Sequence, residues 1–297
     1  MGTLHAEKFA ARRDAKVIAV ADSNAARAEA LARKLGCSAF TDYRGAIGAA
    51  DAAAVAVPTE RHFEIASTCL QAGLNVLVEK PITSTVQQAQ ELVALAARKG
   101  LVLQVGHVER YNATFRTLAA RMTRPLFVEA ERLSGFKQRG ADVDVVLDLM
   151  IHDLDLAVAL SKSKVTDVSA SGFRVLTGDI DIANARVEFA NGCVANLSAS
   201  RVSQAPVRKL RVFQTDLYAS ADLQAGKLRY VRQAKGAIDS TEETHEKGDA
   251  LADQAKAFVA SIMQQKPTQV GGEDGLHALE LALSVGRLVR ERLAKFG

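Results

Sequence analysis

Between Lys16 and Val105, short and wholly apolar runs alternate with longer stretches whose apolar residues recur at helical spacing. "KVIAVA" reads as a buried strand, Asp22-Ser23 as a helix cap, and the Ala-, Arg- and Leu-rich stretch that follows as a helix stopped by Gly36. "CSAF" and "AAAVAVP" are the next strands, the second ended by Pro58. A helix from about His62 to Ala72 stops at Gly73, "NVLVEKP" is a strand running into a turn, and a helix from Ser84 to about Lys99 stops at Gly100. "LVLQVGH" closes the series, and the first ten residues read as a helix ahead of the first strand. Strands separated by helices imply right-handed crossovers and a parallel sheet, and uniformly apolar strands imply a sheet covered on both faces.

After His107 the pattern changes. A helical stretch near 113–121 leads into "LFVEAERLSG", which alternates like a half-solvated strand. "DVVLDLMIHDLDLAVALS" has helical period throughout, and strand-like segments follow at 166–176, 181–203 and 208–233, with turn signals at "TGD" and "NG". Two helices, about 249–265 and 274–295, complete the pattern. Consecutive strands predict a mostly antiparallel sheet with helices on one face. The chain therefore reads as a dinucleotide-type α/β domain over 1–106 and an α+β domain over 107–297. Strands such as "DIANARVEFAN" offer apolar side chains to a face that one helix layer cannot cover twice, which predicts self-association into a dimer or tetramer.

Composition narrows the class. The 297 residues are 48% hydrophobic and 24% charged, with a net charge of +4, as in a soluble globular protein. Aromatics at 5% and the absence of Trp argue against a nucleic-acid surface, and the Arg12-Arg13 pair and the cations from Arg287 to Lys295 read as solvated helix faces. Cys37, Cys69 and Cys193 are far apart, with no CxxC, so reduced thiols in a cytoplasm are expected. No apolar stretch reaches the roughly 18 residues of a membrane span, and no leader is read at the start. Position 6 is Ala6 where a myristoylation motif wants Ser or Thr.

A Rossmann unit runs strand, Gly-rich turn, helix, strand, and then an acidic residue about 20 positions on. Gly2, a helix, a strand and Asp22 fit the last part of that pattern, with Gly2 as the third glycine of G-x-G-x-x-G. Four stretches, "MGTLHAEKF", "AVPTERHFEIA", "VEKPIT" and "DLMIHDLDL", in this order resemble the Gfo/Idh/MocA family of nicotinamide-dependent sugar oxidoreductases. "VGHVERYN" and "SRVSQAPVRKLRVFQ" are most similar to the branch that contains UDP-N-acetylglucosamine 3-dehydrogenases. The resemblance implies a first strand and two leading glycines that these 297 residues do not include, and weak cofactor binding by the chain as it stands. It also implies hydride transfer from a secondary alcohol of a sugar or nucleotide sugar to NAD, with the 3-hydroxyl of UDP-N-acetylglucosamine as the first choice.

The residues themselves offer the chemistry. Such an oxidation needs a base for the hydroxyl proton beside the reacting carbon. Lys80 follows a strand end, where open α/β sheets place ligands, and a partly desolvated lysine gives up its proton more readily; the other reading is a surface lysine. Asp148 and His152 are four apart on one helix face, with Asp155 as a third polar position; an ion pair or a metal site competes, but no second His stands at ligand spacing. The family's catalytic set matches Lys80, Asp148 and His152, and the family also suggests a cis bond before Pro81. Asp22 either accepts the adenosine ribose hydroxyls, which favours NAD over NADP, or caps a helix. Pro58, Thr59, His62 and Glu79 fall where the family approaches the nicotinamide, although His62 reads equally as a helix-surface residue. His107, Arg110, Tyr111 and Asn112 either touch substrate or pack. Arg201, Arg208 and Lys209 either pair with a diphosphate or alternate on a solvated strand.

Two function classes stand: an NAD-dependent sugar or nucleotide-sugar dehydrogenase, with inositol dehydrogenases among the alternatives, and a non-catalytic sugar-nucleotide binder that keeps the fold.

Overall fold

The computed structural model describes residues 1–136, 143–234, 237–246 and 248–296. The chain divides into two compact units, Met1–Val108 with Asp249–Leu276, and Glu109–Gly248 with His277–Gly297. The boundary read near 106–107 is thus the first of three crossings, and the second unit's strand region is followed by a return to the first.

In the first unit α1 (Gly2–Ala10), β1 (Ala19–Ala21), α2 (Ala25–Leu35), β2 (Ser38–Phe40), α3 (Arg44–Ile47), β3 (Ala52–Val55), α4 (His62–Gln71), β4 (Asn75–Val78), α5 (Val86–Lys99) and β5 (Leu103–Val105) alternate. Every strand pair is parallel, and the strands lie in two sheets, β1-β2 and β3-β4-β5. Gly36, Gly73 and Gly100 follow α2, α4 and α5 with φ of 67°, 89° and 65°, a left-handed turn that glycine adopts without a Cβ clash. The capping of α2 differs from the sequence reading, because Asn24 rather than Asp22 or Ser23 accepts the Arg27 N–H. Val76, Leu77, Val78, Leu92 and Val105 are fully buried at the centre of this unit. Helix α8 (Ala250–Gln264) belongs here through Phe258, whose ring meets Phe9 of α1 edge-on at 6.1 Å, and through the Lys8–Asp249 ion pair at 2.5 Å. Those contacts join residues far apart in sequence, which is why local pattern does not show the return.

In the second unit α6 (Ala113–Arg121) and β6 (Phe127–Leu133) precede a π-helical turn, Val146–Met150, that runs into α7 (Ile151–Ser161). The stretch expected to be one uninterrupted α-helix therefore opens with a wider turn. Strands β7 (Val165–Phe173), β8 (Ile182–Phe189), β9 (Val194–Ser200), β10 (Val207–Gln214), β11 (Leu217–Asp222), β12 (Lys227–Ala234) and β13 (Ala237–Thr244) complete one sheet with β6. Its order is β13-β12-β11-β10-β6-β9-β8-β7, antiparallel throughout except for β6 beside β9. Alternation sorts the faces: Ala183, Ala185, Val187 and Phe189 of β8 join a buried core with Ile151, Leu154 and Leu156 of α7 and with Leu281, Val285 and Val289 of α9 (Gly272–Phe296). The apolar side of "DIANARVEFAN" is thus already covered, and its other side carries Ile182, Asn184, Arg186 and Glu188. Self-association through an open apolar side of β8 is corrected on that point.

Candidate active site

In the first unit the strand ends converge on the residues singled out above. Asp22 follows β1, Pro58 and Thr59 follow β3, Glu79 and Lys80 follow β4, and Gly106 and His107 follow β5. Because the strands of each sheet are parallel, these are all carboxyl ends, the edge where open α/β sheets bind ligands. Asp22 is half-buried and accepts the Asn24 N–H at 2.8 Å. Gly2 opens α1 at the surface, Pro58 is exposed, and Thr59 starts a 3-10 turn ending at Arg61.

The turn after β4 is held on every side. Glu79 N–H extends the ladder to Val55 O at 2.9 Å, and its buried carboxylate accepts His5 Nε2 at 2.6 Å through Oε1 and the Lys80 N–H at 3.3 Å through Oε2. His62, also buried, faces the Pro81 carbonyl with Nδ1 at 2.8 Å and the Val57 carbonyl with Nε2 at 2.9 Å. Carbonyl oxygens only accept, and a neutral imidazole carries one N–H, so the ring donates to one of these two carbonyls and lies against the other. The Lys80-Pro81 bond is cis. Glu79, Pro81 and Ile82 are buried, and Lys80 alone among 79–82 reaches partial exposure. Sequence does not single out His5 or Gly106; both stand in the family-like stretches, but no spacing rule distinguishes them.

In the second unit, α7 divides its polar residues between structure and solvent. Asp153 accepts two hydrogen bonds from Arg132 of β6, at 2.9 and 2.8 Å, and Arg132 also donates to Glu109 at 2.9 Å. Burial works against the Arg132 charge, and the facing Asp153 and Glu109 carboxylates outweigh it and raise its pKa; burial pushes the Asp153 carboxyl up. Asp155 is buried and accepts a fork from Arg110 at 2.8 and 3.0 Å. Asp148, in the π turn, and His152, at the start of α7, are the partly exposed members of the series.

The other candidates divide between packing and surface. His107 and Tyr111 are buried. Asn112 caps α6 by accepting the Thr114 N–H at 3.0 Å, and its amide donates to the Leu223 carbonyl at 3.0 Å. Arg201 is buried, donating to the Val143 carbonyl and to the Ile180 carbonyl at 3.0 Å, beside Asp181. Arg208 is exposed, with Nη1 3.4 Å from Glu109 Oε1, and Lys209 is exposed. Among the described residues no group of three or more His, Cys, Asp or Glu side chains could hold a metal ion, and no helix is long and apolar enough to cross a membrane.

Comparison with known proteins agrees with this layout. Residues 1–107 match the model of an oxidoreductase family with an NAD-binding Rossmann fold, and residues 104–218 match the GFO/IDH/MocA C-terminal domain. The UDP-N-acetylglucosamine 3-dehydrogenase of Acidithiobacillus ferrooxidans is 37% identical over 96% of this chain and 93% of its own length. Its solved structure superposes with a TM-score of 0.94, covering 98% of this chain and 95% of that one. An inositol 2-dehydrogenase of Rhizobium meliloti is 26% identical over 98% of this chain and 94% of its own length. A scyllo-inositol dehydrogenase of Lactobacillus casei, solved with NAD(H) and scyllo-inositol, shares the fold at a TM-score of 0.84 and 19% identity, covering 98% of this chain and 94% of that one. With a Rossmann-type unit, a mostly antiparallel second unit and these relatives, the chain belongs to the Gfo/Idh/MocA family of oxidoreductases.

Proposed function

We propose that the protein is an NAD-dependent dehydrogenase of a nucleotide sugar, oxidising the 3-hydroxyl of UDP-N-acetylglucosamine, in a cytoplasmic setting. The observation that carries this reading is the 37% identity, over nearly the whole of both chains, to an enzyme of that name. The match to an inositol 2-dehydrogenase keeps an inositol or simple sugar as the second reading.

The residues present fit a dinucleotide. Asn24 supplies the α2 cap, so the carboxylate of Asp22 at the end of β1 is available to the adenosine ribose, which favours NAD over a 2′-phosphorylated cofactor. Gly2 lets the start of α1 approach a phosphate, and Pro58, Thr59 and Glu79 sit at the carboxyl ends where the nicotinamide half belongs. When bound, NAD supplies the hydride acceptor. The chain's own residues then handle the proton: Lys80 accepts or shares the one leaving the hydroxyl, His152 serves as acid or base, and Asp148 orients the hydroxyl or the lysine. Arg208, an exposed cation on β10, holds the diphosphate, while Lys209, next along the strand, points to the opposite face of the sheet.

Self-association remains part of the proposal. Phe173, Val175, Leu176 and Ile182 are exposed together where β7 pairs with the start of β8, an apolar patch suited to a second copy. The substrate reading is tested by following NADH formation with UDP-N-acetylglucosamine, myo-inositol and glucose. Turnover with the nucleotide sugar supports it; turnover with only the unphosphorylated compounds overturns the nucleotide-sugar choice.

A further inference from the structure

We infer that His5 and His62 are positioning residues for Lys80, gripping the Glu79-Lys80-Pro81 turn from two helices. The inference rests on the reading of Lys80 as a catalytic residue. On the near side, His5 of α1 donates to Glu79 Oε1, and the same carboxylate receives the Lys80 amide on Oε2. On the far side, the His62 ring of α4 sits between the Pro81 and Val57 carbonyls, within hydrogen-bond distance of each and donating to one of them, so that it bridges the turns after β3 and β4.

Gly106 completes the grip. Its N–H donates to Val78 O at 2.7 Å, and a Cβ added there would stand 2.9 Å from Glu79 Oε2 and 3.0 Å from Glu79 Cα. The second contact is with backbone, so a side chain at 106 displaces the turn. Glu79, Pro81 and Ile82 are all buried, which leaves the Lys80 side chain as the part of the turn that meets solvent. A buried imidazole–carboxylate pair is a costly way to close a turn that packing alone could close, and it fixes direction better than packing does. Its position, one residue from the proposed base, is where angular precision matters: a misplacement of about 1 Å can cost roughly 10²-fold in rate.

The test uses the full chain and four variants, His5→Ala, His5→Gln, His62→Ala and Gly106→Ala, beside Lys80→Ala. The expected result is a fall in kcat of roughly 10- to 10²-fold in the three disruptive variants, with KM for the nucleotide sugar within about threefold of the parent. His5→Gln, which keeps a donor toward Glu79, should recover most of the loss. A His5→Ala/Glu79→Ala double variant should be no slower than the worse single one, because both remove the His5–Glu79 contact. Acylation of Lys80 by an amine-reactive ester, read by peptide mass spectrometry, gives a measure independent of turnover; its rate should change in His5→Ala and return in His5→Gln.

The outcomes separate the two claims. If Lys80→Ala turns over like the parent, the catalytic reading falls. If Lys80→Ala is inactive while His5→Ala and His62→Ala keep the parent kcat, the positioning role falls. Loss of activity in step with loss of folded protein by circular dichroism, with unchanged Lys80 acylation in the folded fraction, also overturns it.

Discussion

Asn24 donates its backbone N–H to the Asp22 carboxylate at 2.8 Å while its own side chain accepts the Arg27 N–H at 3.1 Å. The capping role that competes for Asp22 in the sequence therefore falls on Asn24. Asp22→Ser should raise the NADP-to-NAD ratio of kcat/KM by about tenfold or more while hardly moving the melting temperature. Asn24→Ala should do the reverse, costing about 1 kcal/mol of stability without changing cofactor preference. Steady-state kinetics with both cofactors and thermal unfolding decide it; an unchanged ratio in Asp22→Ser contradicts the ribose role.

Arg132 bridges two buried carboxylates at once, Asp153 and Glu109. Removing it leaves both charges buried without that bridge, and breaking such a pair costs about 3–5 kcal/mol. Arg132→Met should therefore lose about that much by urea unfolding. A loss below about 1 kcal/mol would show that the site relaxes or admits water.

Much of the fold is legible in the sequence because periodicity carries it. In β8 every second residue of "IANARVEF" faces the core, α2 and α5 stop at the glycines read as stops, and α4 ends at Gln71, two residues before Gly73. Strand β13, "AIDSTEET", is not: it is polar and exposed along nearly its whole length, and only its ladder to β12 makes it a strand. The pairing of Arg110 with Asp155 is equally out of reach, since it spans 45 positions and each residue alone looks available for substrate. The same holds for His5 with Glu79, 74 positions apart, where proximity comes only from the packing of α1 beside the sheet.

Asp181 closes the loop between β7 and β8. Burial opposes its ionisation, but the Thr177 hydroxyl and the amides of Thr177, Val175 and Leu176 outweigh burial and bring its pKa from 3.8 to about 2. A carboxyl whose folded pKa lies below its unfolded value contributes stability that is full above the unfolded value and lost as pH falls through the folded one. Unfolding measured from pH 5 to roughly pH 2 should show that loss in the parent and a smaller one in Asp181→Asn. Equal slopes would contradict the assignment.

Light scattering at micromolar concentration should give two or four times the 31.7 kDa of one chain. Phe173→Glu together with Leu176→Glu should shift the protein toward monomer, since both side chains are more than half exposed in the single chain. A parent that runs as a monomer would remove the self-association proposal.

The most direct test of the central claim is single-turnover NADH formation from UDP-N-acetylglucosamine by the parent chain and by a Lys80→Ala/His152→Ala double variant. Proton transfer by a positioned group is worth about 10²–10⁴-fold, so the double variant should be slower by at least the lower figure while its affinity for NAD stays within about threefold. A double variant that forms NADH at the parent rate would contradict the account.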